Sequence, residues 1–136
     1  MKNIIFTFLI LFTFNISAFS ATAHESLINE CKSVSKEIKK TPLLSVNKLL
    51  IRASEELAKN YDEKLLVSLV GLLKSSYSVD SNYYSIEFIY PAFTKHKVAF
   101  DKEVKKQFSK KGYKTFNENV ALFENEQKVG NDPKSN

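Results

Sequence analysis

The chain has 136 residues with 20 Lys and Arg against 15 Asp and Glu, which gives a formal net charge of +5. This length corresponds to about one ordinary domain, large enough to bury a core of its own. The single cysteine, Cys31, excludes an internal disulfide, so packing alone must hold the fold.

The N-terminal segment has the three features of a cleavable secretory signal peptide. Lys2 is its only charged residue, and an apolar run follows at residues 4–14. Ala21 and Ala23 then provide the small-x-small pattern of a cleavage site. The apolar run is shorter than the roughly 20 residues that span a bilayer. We therefore expect cleavage after Ala23, a mature chain that begins at His24, no membrane span, and a periplasmic or secreted location.

The first stretch of the mature chain has the pattern of an amphipathic helix. Its apolar residues recur at spacings of four, three and four, and they are Leu27, Cys31, Val34 and Ile38. Pro42 ends this helix because the residue before a proline avoids the α conformation. We expect Thr41 to cap the N-terminus of the next helix, with Pro42 in its first turn.

Two further helices follow from the same periodicity. The second is predicted from Leu43 to about Lys59, with a turn at residues 60–62. Asp62 is a suitable N-cap for the third, in which apolar residues cover most of the circumference, so we expect this helix to be the most buried. Gly71 inside it costs about 1 kcal/mol relative to alanine. This cost suggests the close approach of a neighbouring helix.

The segment Tyr83–Phe93 fits two different periods. Alternate residues from Tyr84 to Tyr90 suit a strand, whereas spacings of three and four suit a helix. We choose a helix that is kinked or interrupted at Pro91. The reason is that helical spacing continues into the following residues, where a lone strand would have no partner.

The C-terminal third predicts two more helices. One runs from Lys97 to Lys111 and is closed by Gly112, and the last opens with the capping box Thr115–Glu118. The fold class is therefore all-α, a single small domain of five or six short helices arranged as a bundle or a helix-hairpin stack. The predicted division is a signal peptide at 1–23, a helical domain at 24–128 and a disordered tail at 129–136.

Residues that could carry chemistry are few. Two histidines, one cysteine and three glycines form no catalytic or phosphate-binding motif, so we expect no enzymatic activity and no cofactor. The amine and ring of an N-terminal His24, with His96 as a third ligand, could chelate copper. This pair resembles the histidine brace of copper-dependent polysaccharide monooxygenases. Those enzymes are β-sandwiches, however, and we expect no metal site here.

Two surface patterns are candidates for binding. Residues 95–114 contain eight lysines with aromatic residues among them. Such a pattern could bind nucleic acid or an anionic envelope surface. The aromatic residues fall on the predicted core stripe, which favours a solvated helix face and no nucleic acid. Tyrosines cluster around the break at residues 78–81, either in a binding surface or packed under a loop. The predicted binding residues are Tyr83, Tyr84 and Lys95.

A small exported helical domain with this inventory is most simply a binding protein. In size, signal peptide and helical pattern it resembles the small helical periplasmic immunity proteins that protect bacteria from secreted peptidoglycan-cutting toxins. It departs from some of them in lacking a cysteine pair and in being basic. The resemblance implies a protein partner, namely a secreted toxin that is held inactive in the periplasm. The alternative is a periplasmic chaperone or an envelope structural factor, and a homodimer is left open.

Processing of the exported protein provides the first test. The intact mass should correspond to a chain that begins at His24, because Ala21 and Ala23 fit the small pockets of signal peptidase. The second-choice site lies after Ser20 and gives a chain that begins at Ala21. A full-length mass recovered from the membrane fraction would contradict the predicted cleavage.

Overall fold

Six α-helices follow one another in the computed structural model, which describes residues 22–79 and 84–130, and no strand occurs in these ranges. Their bounds are α1 at residues 22–36, α2 at Leu43–Lys59, α3 at Glu63–Tyr77, α4 at Tyr84–Lys95, α5 at Lys97–Gln107 and α6 at Lys110–Gly130. The all-α prediction is confirmed. Most of the predicted signal peptide, and residues 131–136 of the predicted tail, lie outside the described residues. None of the described helices is long and apolar enough to cross a membrane.

Two helical hairpins form the centre of the fold. The hairpin α2–α3 packs on the hairpin α4–α5, with α2 against α4 and α3 against α5. On one side α6 packs against α4 and α5. On the other side α1 lies against α2, where Glu30 pairs with Arg52 at 3.1 Å.

The core confirms the prediction that the third helix is the most deeply placed. Eight side chains of α3 are buried: Leu65, Leu66, Ser68, Leu69, Val70, Leu72, Leu73 and Ser76. Aromatic rings join the other helices. Phe93 of α4 meets Phe100 of α5 and Phe116 of α6 edge to face, with ring centroids 5.8 and 5.9 Å apart. Such edge contacts add to the stabilisation that burial of each ring provides.

Helix ends follow the predicted caps in one case and depart from them in another. The carboxylate of Asp62 accepts a hydrogen bond from the Leu65 N–H at 2.9 Å, so Asp62 is the N-cap of α3 as predicted. Thr41, in contrast, does not cap α2. Its hydroxyl donates instead to the backbone carbonyl of Glu37, just after α1, at 3.0 Å. Pro42 occupies the N-cap position of α2.

The segment around Pro91 is helical, which confirms the helical interpretation over the strand. Pro91 lies inside α4 and has no N–H to donate to the preceding turn. The Ala92 N–H that follows it donates to the buried Ser54 hydroxyl of α2 at 3.2 Å. A side chain of the neighbouring helix therefore supports α4 at its weakest turn.

The prediction that Gly112 closes a helix over Lys97–Lys111 is wrong. The backbone turns extended at Phe108, with φ −82° and ψ 153°, and α5 ends there. Gly112 lies in the first turn of α6, where its N–H donates to the Ser109 hydroxyl at 3.1 Å, and no described glycine has a positive φ. The predicted capping box Thr115–Glu118 is accordingly inside α6. This helix also extends two residues into the predicted tail.

Gly71 does not mark a close approach of two helix backbones. A Cβ added there would lie 3.5 Å from Oε1 of Gln107, which is an ordinary contact with the end of a flexible side chain. Gln107 itself donates to the Val67 carbonyl of α3 at 2.9 Å and so links α5 to α3. The neighbour of Gly71 is therefore the Gln107 side chain and not the backbone of another helix.

Cys31 lies in the predicted apolar stripe of α1 and has no exposed surface. Burial is the main cause that raises the pKa of its thiol to about 12. The thiol is therefore protonated at neutral pH, and its sulfur packs as a small apolar group.

Replacing Cys31 tests whether α1 is held by apolar packing. Cys31→Ser should lower the free energy of unfolding by about 1–3 kcal/mol, because it buries a hydroxyl in an apolar stripe. Cys31→Ala, which adds no polar group, is the matched control and should cost less. Chemical denaturation of both variants measures the difference. A disulfide-linked dimer of the folded wild-type protein on a non-reducing gel would contradict the buried thiol.

Candidate functional site

The turn between α2 and α3, at residues 60–62, is held by both histidines of the chain. His24 reaches it from α1, and His96 reaches it from the junction of α4 and α5. Neither contact is local, because His24 and Glu56 are 32 residues apart and His96 and Leu57 are 39 apart. The stack of hairpins is what places three separate elements around one short turn.

His24 bridges two carboxylates. Its side chain is almost fully buried, with Nε2 at 2.9 Å from Glu56 Oε1 and Nδ1 at 3.4 Å from Asp62 Oδ2. His24 thereby ties α1 to the end of α2 and to the N-cap of α3.

The two carboxylates are kept ionised by their hydrogen bonds. The Asn60 side-chain amide, followed by the His24 ring, lowers the pKa of Glu56. The Leu65 N–H, with a further contribution from His24, lowers the pKa of Asp62. Both groups are therefore negatively charged at neutral pH, as their contacts with the histidine require.

His96 holds the other side of the turn. Its Nε2 donates to the Leu57 carbonyl at 3.0 Å, in the last turn of α2, where backbone carbonyls lack partners within the helix. Its ring packs against the Tyr61 ring, with centroids 4.8 Å apart. Tyr61 is consequently held at the surface by a contact with a ring that is itself anchored.

A shallow depression of about 510 Å³ lies beside this pair. We call it the corner basin. Its lining residues include Tyr61, Lys95, His96, Lys97 and Val98. Tyr61 is 51% exposed and Val98 is 85% exposed. An aromatic ring and an aliphatic side chain are thus open to solvent in a depression that two lysines also line. Exposed apolar surface with a polar rim is typical of a protein contact site.

The structure separates the binding residues that were predicted from sequence. Lys95 lines the corner basin. Tyr84 begins α4 and Lys95 ends it, so their backbones are roughly 16 Å apart along the helix axis. The side chain of Tyr84 and the whole of Tyr83 lie outside the described residues. Tyr61, which sequence reasoning missed, lines the corner basin together with Lys95. Its only signal in the sequence was a tyrosine within a short polar turn.

The copper pairing considered for His24 and His96 finds no support in their contacts. Both ring nitrogens of His24 lie against carboxylates, and Nε2 of His96 lies against a carbonyl. Within the described ranges, no group of three His, Cys, Asp or Glu side chains is placed to hold a metal ion.

Comparison of the chain with family models, with curated proteins and with solved structures finds no match.

The hydrogen bonds of Glu56, from Asn60 and then from His24, predict a defined pH dependence. Because the pKa of Glu56 is lower in the folded state, its ionisation stabilises the fold above the unfolded pKa of about 4.5. This contribution is lost as the pH falls through the lower, folded pKa. Glu56→Gln should therefore cost about 1 kcal/mol at pH 7, and the difference from wild type should shrink below pH 4.5.

Glu55→Gln is the matched control for this measurement. Glu55 is an exposed neighbour on the same helix and has no hydrogen bond to His24. Thermal unfolding of the three proteins across the acid range supplies the comparison. If Glu55→Gln and Glu56→Gln had equal effects at pH 7, the His24 bridge would have no part in stability.

Proposed function

We propose that the mature chain is a protein-binding domain, and that it acts as an immunity or inhibitor protein that neutralises a secreted toxin in the periplasm. The observation that carries the proposal is the corner basin, where the exposed side chains of Tyr61 and Val98 line the same depression as Lys95 and Lys97. The likeness in size and helical pattern to periplasmic immunity proteins supports the inhibitor role over other binding roles.

The arrangement of Tyr61 suits a binding anchor. Its ring offers a large amphipathic surface, and its contact with His96 restricts its motion before any partner arrives. A pre-ordered anchor loses less entropy on binding, so more of its contact energy appears as affinity. Tyrosines in such positions are frequent hot spots of protein interfaces.

Charge indicates the chemistry of the partner surface. Lys95 and Lys97 flank His96 in the chain and are both exposed. Lys97 already pairs with Glu124 at 3.8 Å, so Lys95 is the lysine that would chiefly attract a carboxylate-rich surface. Charges at the rim of an interface mainly accelerate association and select among partners. We therefore expect an acidic cleft or loop on the toxin to meet the corner basin.

A second candidate function rests on a different surface. Leu43 and Leu44 are exposed next to each other at the start of α2, where they form a small apolar pair. A chaperone or envelope structural factor would use such a pair to hold many partners weakly. The two functions differ in the number of partners and in which residues matter.

Truncation of Tyr61 tests the proposed site. A pull-down from envelope extract with the mature domain identifies the partner, and calorimetry then measures its affinity. Tyr61→Ala should lose at least about 2 kcal/mol of binding free energy, roughly a 30-fold weaker Kd, with little change in thermal unfolding. Lys95→Gln should mainly slow association and reduce its salt dependence.

Leu122→Ala is the matched control, since Leu122 is 54% exposed on α6 and lies outside the corner basin. It should leave the affinity unchanged. Tyr83→Ala and Tyr84→Ala test, in the same assay, the site predicted from sequence. Equal binding of many unfolded proteins, weakened by Leu44→Ala and not by Tyr61→Ala, would favour the chaperone role.

A further inference from the structure

The positive charge of the chain is concentrated in one short segment. Residues 95–114 contain eight lysines against Asp101 and Glu103, a net charge of +6. The remaining 116 residues contain twelve basic and thirteen acidic residues, a net charge of −1. The net charge of +5 is therefore a property of α5, its flanks and the start of α6.

The structure leaves this charge open to solvent. All eight lysines of the segment are exposed. Three pair with carboxylates, as Lys97 with Glu124 at 3.8 Å, Lys106 with Glu103 at 3.5 Å and Lys114 with Glu118 at 3.6 Å. The other five have no carboxylate within 4.0 Å among the residues that the structure describes. Asp101 is also engaged, because it accepts the Tyr113 hydroxyl at 2.8 Å.

Six of these exposed lysines lie within residues 102–114, on α5 and the start of α6, and we call this group the lysine face: Lys102, Lys105, Lys106, Lys110, Lys111 and Lys114. On α5, Lys105 and Lys106 follow Lys102 by three and four residues, so the three lysines share one side of that helix. The three on α6 lie in its first turns and share an arc in the same way. Only Phe108 and Ser109 separate the two helices, so the two groups adjoin.

The aromatic residues of the segment point away from the lysine face. Phe100 and Phe108 are buried in the core, and Tyr113 is partly buried with its hydroxyl bonded to Asp101. Binding of single-stranded nucleic acid depends on exposed rings on which bases stack. Within this segment the described side chains offer no such ring, so the lysine face offers charge without stacking.

Two of the lysines occupy an electrostatically unfavourable position. Lys110 and Lys111 lie in the first turn of α6, which has no acidic residue. A positive charge there opposes the partial positive charge at a helix N-terminus. An anionic surface against these residues would compensate for that repulsion, which water and salt only screen.

We propose that the lysine face docks the protein peripherally on an anionic phospholipid surface. Lipid phosphates move laterally and gather under a convex array of cations, so no preformed pocket is required. Each lysine near such a surface contributes about a fivefold increase in binding, and several together hold a protein that has no membrane-spanning helix among its described residues. This surface is separate from the corner basin and does not rest on the proposed inhibitor function.

Vesicle co-sedimentation tests the proposal with the mature protein. It should bind vesicles of phosphatidylcholine with phosphatidylglycerol, should not bind vesicles of phosphatidylcholine alone, and should be released by high salt. The variant Lys105→Gln/Lys110→Gln/Lys111→Gln should bind on the order of 100-fold more weakly. Its fold should be little affected, since Lys110 and Lys111 oppose the dipole of α6 and Lys105 contributes one exposed charge to the last turn of α5.

The matched control is Lys36→Gln/Lys48→Gln/Lys64→Gln, which removes the same charge from exposed positions on α1, α2 and α3. It should bind within a fewfold of wild type. Lys102→Gln/Lys105→Gln repeats the test on α5 alone, should the first triple variant unfold. Equal losses in the two triple variants, binding that ignores phosphatidylglycerol, or tighter binding to oligonucleotides than to vesicles at the same salt would each overturn the proposal.

Discussion

The turn at residues 60–62 is the point on which the arrangement of the hairpins depends. It joins α2 to α3, and α2 is the helix that packs on both α3 and α4. His24 ties this turn to α1 through Glu56 and Asp62, and His96 ties it to the junction of α4 and α5. A chain with no disulfide thus uses two buried or half-buried imidazoles to join elements that are distant in sequence.

These contacts combine several functions in few residues. Asp62 both caps α3 and accepts from His24, so the start of α3 and the position of α1 are coupled. His96 both satisfies a carbonyl at the end of α2 and supports the Tyr61 ring. Stability and the exposed surface of the corner basin are therefore linked, because the same ring that closes the hairpin junction orders the candidate anchor.

The surface is divided in the same way as the charge. The corner basin combines apolar area with two lysines, a composition suited to a partner of defined shape. The lysine face offers charge alone, a composition suited to a partner of high charge density and no fixed shape. Two surfaces with different physical demands can operate on one small domain because the remaining residues are close to neutral in sum.

Local signals in the sequence were sufficient for the helices and for part of their ends. The helical fold class, the bounds of α2, the Asp62 cap and the apolar stripe of α1 follow from periodicity and capping, which act over a few residues. Gly112 and Thr41 were misassigned because each competes with a neighbour for the same role. The Ser109 hydroxyl accepts from the Gly112 N–H and caps α6, so Gly112 belongs to α6 and does not close α5. The Thr41 hydroxyl donates to the Glu37 carbonyl and does not cap α2.

The sequence by itself determined the helical class, the buried stripes and the concentration of charge, because composition and period are properties of neighbouring residues. Only the tertiary structure decided that Tyr61 stands beside Lys95 and that the histidines meet the α2–α3 turn. Those contacts join residues more than 30 positions apart. They form because burying the apolar faces of four helices brings their ends together, an outcome that no local pattern encodes.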